Sequence, residues 1–79
     1  MAKPQSKRLV ACVSNEDYPA SLERGKIYVA LRDKAAERLA LIRVIDESGE
    51  GYLFPSLLFR LINLPHATKN ALLSAIETQ

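Results

Sequence analysis

Residues 48–56 read Ser-Gly-Glu-Gly-Tyr-Leu-Phe-Pro-Ser. Gly49 and Gly51 supply the freedom at positive φ that a tight hairpin requires. Tyr52-Leu53-Phe54 is then a returning strand, and Pro55 ends it because proline cannot donate to a ladder. Ser56 to Leu58 has room only for a turn or a single 3₁₀ turn. Phe59-Arg60-Leu61-Ile62 is apolar enough for a last short strand. The order turn, strand, proline stop, turn, strand predicts a fold made mainly of short antiparallel strands.

Upstream, Leu39 to Glu47 predicts a strand with Ile42 and Val44 on one face and Leu41, Arg43 and Ile45 on the other. Apolar residues on both faces predict a central, doubly covered strand. Arg43, between apolar neighbours, is expected to pair with a carboxylate such as Asp46 or Glu47. Asp33 to Glu37 is either one helical turn capped by Asp33 or a connecting loop. Lys26 to Arg32 alternates, with Ile27, Val29 and Leu31 on one face and Lys26, Tyr28 and Arg32 on the other. Gly25-Lys26 reads as a turn, Ser14 to Arg24 as a long loop, and Leu9 to Val13 as the first strand.

After the last strand the period changes. Leu64, Ala67, Ala71, Leu72, Ala75 and Ile76 recur at helical spacing, which predicts an amphipathic helix over about 66–77. Asn63 is expected to cap it, with Pro65 in its first turn. Ala67, Ala71, Leu72 and Ile76 are its expected packing face.

At 79 residues the chain is one domain or part of one, read as a flexible basic tail over 1–8 and a single unit over 9–79. The net charge is +2 from 11 basic and 9 acidic residues. Lys3, Lys7 and Arg8 lie in the tail, so the basic excess is expected there rather than on a face, which argues against a nucleic-acid patch. The single cysteine, Cys12, excludes an internal disulfide and a cysteine-cluster metal site. It reads as a small buried hydrophobe in the first strand. No apolar run is long enough to span a membrane, and a cytoplasmic protein with a reduced thiol is expected.

Five short strands, a long first loop and a proline-terminated fourth strand resemble the Src-homology-3 barrel. Ala11-Cys12-Val13-Ser14-Asn15 stands where that family opens with Ala-Leu-Tyr-Asp-Tyr. Ser21-Leu22-Glu23-Arg24-Gly25-Lys26 is similar to its Leu-Ser-Phe-x-x-Gly-Asp/Glu turn, and residues 49–56 to its Gly-x-x-Gly-x-Phe/Ile-Pro-Ser segment. The chain also resembles a group of small bacterial proteins with Ile-Arg-Val-Ile-Asp-Glu-Ser-Gly-Glu, here 42–50, and Tyr-Leu-Phe-Pro, here 52–55. The resemblance implies a five-stranded Src-homology-3-like barrel over about 9–62, to which the C-terminal helix is added. Family members bind proline-rich segments on an aromatic groove. Here the opening tyrosines are replaced by Val13 and Asn15, the groove tryptophan falls near Arg38 or Leu39, and the tyrosine after the proline is Leu58. Only Pro55 and the acidic pair Glu16 and Asp17 match groove positions.

No catalytic set emerges. His66 reads as a solvated helix-end residue, and the glycines form no phosphate loop. No metal or cofactor is expected, and the expected role is a non-catalytic module that binds another protein. A nucleic-acid-binding adaptor using the basic tail is the alternative. The expected partner surface is Glu16, Asp17, Tyr18, Pro55 and Leu58. Tyr18 is there either an anchor with a polar rim or a cover folded back over the end of the barrel.

Overall fold

The computed structural model describes residues 7–45 and 49–77. Asp46, Glu47 and Ser48 of the expected hairpin, and residues 1–6 of the expected tail, lie outside the described residues. The elements are β1 (Lys7–Cys12), β2 (Ile27–Leu31), α1 (Lys34–Arg38), β3 (Leu41–Ile45), β4 (Gly51–Pro55), a 3₁₀ turn (Ser56–Leu58), β5 (Phe59–Leu61) and α2 (His66–Glu77). Lys7 and Arg8, expected in the tail, belong to β1.

All strand pairs are antiparallel and form one five-stranded sheet in the order β4-β3-β2-β1-β5. Its edges are β4 and β5, and the sheet is not closed into a barrel. Pro55 is the last residue of edge strand β4, where its missing N–H costs no ladder bond. Gly49 has φ 88° at the hairpin. Gly51 serves differently: a Cβ there would lie 3.2 Å from Cγ of Arg43, so the glycine makes room for the arginine stem.

The core gathers Val10, Cys12, Leu22, Ala30, Val44, Phe54, Leu58 and Phe59, with Tyr18, Tyr28 and Ile42 packed against it. Cys12 is a buried member of it. The expected facing of β2 is corrected. Tyr28 and Ala30 face this core, while Ile27 is exposed and Val29 is buried on the opposite face beside its register partner Leu9. β2 is the middle strand, so both of its faces can be covered. Tyr28 joins the core because its hydroxyl accepts the Glu23 backbone N–H at 2.8 Å, leaving its ring free to pack.

The helical reading of 34–38 holds. Oδ1 of Asp33 accepts the Ala36 N–H at 3.1 Å, while Oδ2 takes Nε of Arg43 at 2.8 Å. Among the described residues the carboxylate partner of Arg43 is Asp33, brought opposite by the β2–α1–β3 connection; the expected partners Asp46 and Glu47 lie outside them. The Ala36 N–H first, and then the Arg43 guanidinium, hold the Asp33 carboxyl below its ordinary pKa.

α2 covers the expected residues 66–77 and keeps Leu72 and Ile76 of the expected face, but its cap and the rest of that face differ. The Pro65 carbonyl accepts the Lys69 N–H at 2.9 Å, so Pro65 takes the cap position that Asn63 was expected to fill. Lys69, Leu72, Leu73 and Ile76 are half-buried, whereas Ala67 and Ala71 are exposed. Larger side chains reach inward where the short alanines do not.

Candidate functional site

The first loop folds back on itself. The Tyr18 N–H donates to the Asn15 carbonyl at 2.8 Å, and the Tyr18 carbonyl accepts the Ser21 and Leu22 N–H groups. The Asn15 side chain donates to the Leu22 carbonyl at 3.1 Å. Asp17 stands at the tip of the first turn with φ 72°, a conformation aspartate tolerates better than most residues. At the loop base, the Gly25 N–H meets the Cys12 carbonyl and the Cys12 N–H meets the Lys26 carbonyl. These bonds fix the loop as a shaped unit.

The loop sets the Tyr18 ring edge-on to Phe54, with centroids 5.2 Å apart and planes at 89°. Tyr18 is half-buried in this contact. It also lines a groove of about 400 Å³ together with Ser21, Leu22, Tyr28, Val44, Tyr52, Leu53 and Phe54. All three tyrosines of the chain meet here. The Tyr52 hydroxyl donates to Oε2 of Glu50 at 2.6 Å, and Nζ of Lys26 lies 5.2 Å from the Tyr28 ring centroid. Leu53 and Tyr52 present 42% and 47% of their surface to solvent. The groove is lined by apolar side chains and by the hydroxyl-bearing Tyr18, Ser21, Tyr28 and Tyr52, which suits a side chain with an apolar stem and a polar end.

The expected partner surface is brought together only in part. Tyr18 lines the groove, and Glu16 and Asp17 are exposed in the turn before it. Pro55 is half-buried one residue beyond Phe54 and does not line the groove. Leu58 is corrected: it is 4% exposed and belongs to the core. The 3₁₀ turn points it inward, and its carbonyl takes the Val13 N–H at 2.8 Å. Its neighbour Leu57 is 70% exposed instead. Tyr28, Tyr52 and Leu53 were missed. The signal available was that the tyrosines are the chain's only aromatics with polar tips.

Among the described residues no group of three His, Cys, Asp or Glu stands close enough to hold a metal ion. No helix there is long and apolar enough to cross a membrane. No protein-family model matches the chain, and neither does any curated protein or solved structure.

Proposed function

We propose that this protein is a small, non-catalytic, cytoplasmic interaction module that receives a segment of another protein in the tyrosine-lined groove. The observation that carries this reading is the meeting of Tyr18, Tyr28 and Tyr52, from three separate parts of the chain, around one open groove. Tyrosine supplies contact area at low cost in side-chain entropy and is enriched where partners bind. The acids beside Tyr18 favour a basic segment and add an attraction that weakens with salt.

The resemblance to the Src-homology-3 fold favours the same reading; the strand order β4-β3-β2-β1-β5 and the 3₁₀ turn before β5 support it, in a sheet that is not closed into a barrel. The ligand differs in kind, because the positions that grip proline in that family are occupied here by Val13, Asn15 and buried Leu58.

Leu53→Glu puts a charge at the groove mouth without touching the core. A partner captured from the source cell by the parent protein is expected to be lost with this variant. Titrating the isotope-labelled protein with the purified partner is expected to move the amide signals of Tyr18, Leu22 and Leu53. Shifts confined to α2 or to Lys7 and Arg8 would refute the proposal.

A further inference from the structure

The fold separates charges that the sequence scatters. Glu16 and Asp17 precede groove residue Tyr18, and Glu50 bonds the Tyr52 hydroxyl there. Basic residues collect around α1. Arg8, near the start of β1, and Arg32, just past the end of β2, both turn toward Glu37. Nη2 of Arg8 is 3.9 Å from one Glu37 oxygen, and Nη2 of Arg32 is 3.9 Å from the other. These are ion pairs at a distance too long for hydrogen bonds, so one carboxylate faces two guanidinium groups without engaging their donors. Nε of Arg8 is buried with no hydrogen-bond partner. Lys34 and Arg38, spaced i and i+4 on α1, are exposed on the same helix. Arg43 is held by Asp33 and adds no net charge. Among the described residues the surface therefore carries Arg8, Arg32, Lys34 and Arg38 against Glu37.

We propose that this α1 surface binds the phosphate backbone of double-stranded nucleic acid without reading its sequence. The exposed cationic side chains of Arg32, Lys34 and Arg38 match phosphate oxygens. Protein interfaces are depleted of charge at their centre, and a membrane surface calls for an amphipathic helix, which the five-residue α1 is not. Single strands are held by stacking bases on aromatic rings. The tyrosines lie at the groove and both phenylalanines in the core, so the α1 surface offers no such platform and a duplex fits it better. A helix of five residues is too short to read a major groove. The proposal is independent of the groove's protein partner.

The test is fluorescence anisotropy of a labelled mixed-sequence DNA duplex of about 20 base pairs, with salt raised from about 50 mM to about 200 mM. Four cations opposed by one carboxylate displace about three counterions, so affinity is expected to fall about 40-fold over that range. In Lys34→Gln/Arg38→Gln, both positions being exposed, the fall is expected to shrink to about fourfold. Arg32→Gln is expected to shrink it by about one counterion's share, which keeps the test alive should the double variant fold poorly. Glu16→Gln/Asp17→Asn, beside the groove, is expected to leave it unchanged. The proposal is overturned by absence of binding at the lowest salt, by an unchanged salt dependence in both α1-surface variants, or by tighter binding to the single strand. Loss of binding on Lys3→Gln alone would assign it to the N-terminal segment and overturn the proposal equally.

Discussion

Ala40 follows α1 with φ 58°, in the left-handed region where a Cβ crowds the following carbonyl. Helices commonly end on glycine at this position. The strain persists because the Ala40 N–H donates to the Glu37 carbonyl at 3.1 Å and its own carbonyl accepts the Ser56 N–H at 2.9 Å. Ala40→Gly is therefore expected to raise the unfolding free energy by about 1 kcal/mol, measured by chemical denaturation. Phe54 is the opposite case, a ring that touches both Tyr18 and Phe59. Phe54→Ala is expected to cost about 3–5 kcal/mol and to unfold most of the population of so small a domain. A change under about 1 kcal/mol in the same assay would contradict its place in the core. At this scale the sequence was only partly readable. Pro55 announced the end of β4, and Tyr18 announced itself as an aromatic in a polar loop. Nothing local showed that the 3₁₀ turn would rotate Leu58 inward and leave Leu57 outside, because the phase of a single turn depends on what it packs against.

α1 is too short to persist alone and is held by Asp33, which caps it and grips Arg43 of β3. A carboxyl with a lowered folded pKa stabilises the fold fully above its unfolded pKa, and that contribution fades as pH falls through the folded value. The window therefore lies below about pH 4, the ordinary range for aspartate. Asparagine at 33 still caps a helix but carries no charge for Arg43. The melting temperature of the parent protein is expected to exceed that of Asp33→Asn near neutrality, and the gap to narrow on acidification below about pH 4. A gap that widened in acid would mean that the ion pair is not what holds α1. Elements were legible in the sequence where a period ran unbroken, as in the alternation of β2 and the helical spacing of α2. Which face turned inward was less so. In β2 both faces are covered, and the half-polar Tyr28 outcompeted Ile27 for the core because its hydroxyl found a backbone partner at the rim. The Asp33–Arg43 pair depends on which strands become neighbours, and ten residues of separation hid it.

Across the whole molecule, a net charge of +2 conceals a basic surface at α1, since Arg8, Arg32, Lys34 and Arg38 converge only through sheet register and a helix cap. The groove is invisible in the sequence for the same reason, its walls coming from the first loop, β2, β3 and β4. The strand order has a further consequence, for the route by which the chain folds. β2, β3 and β4 pair with their neighbours in sequence, whereas β1 pairs both with its neighbour β2 and with distant β5, joining Val10 to Leu61. Closing so long a loop demands entropy before its contacts repay it. The β2–β3–β4 meander is therefore expected to organise first and the terminal strands to zip onto it after the barrier is crossed. Stopped-flow refolding separates the two: Val44→Ala is expected chiefly to slow folding, and Val10→Ala chiefly to hasten unfolding. The reverse assignment would place the meeting of the chain's two ends at the rate-limiting step.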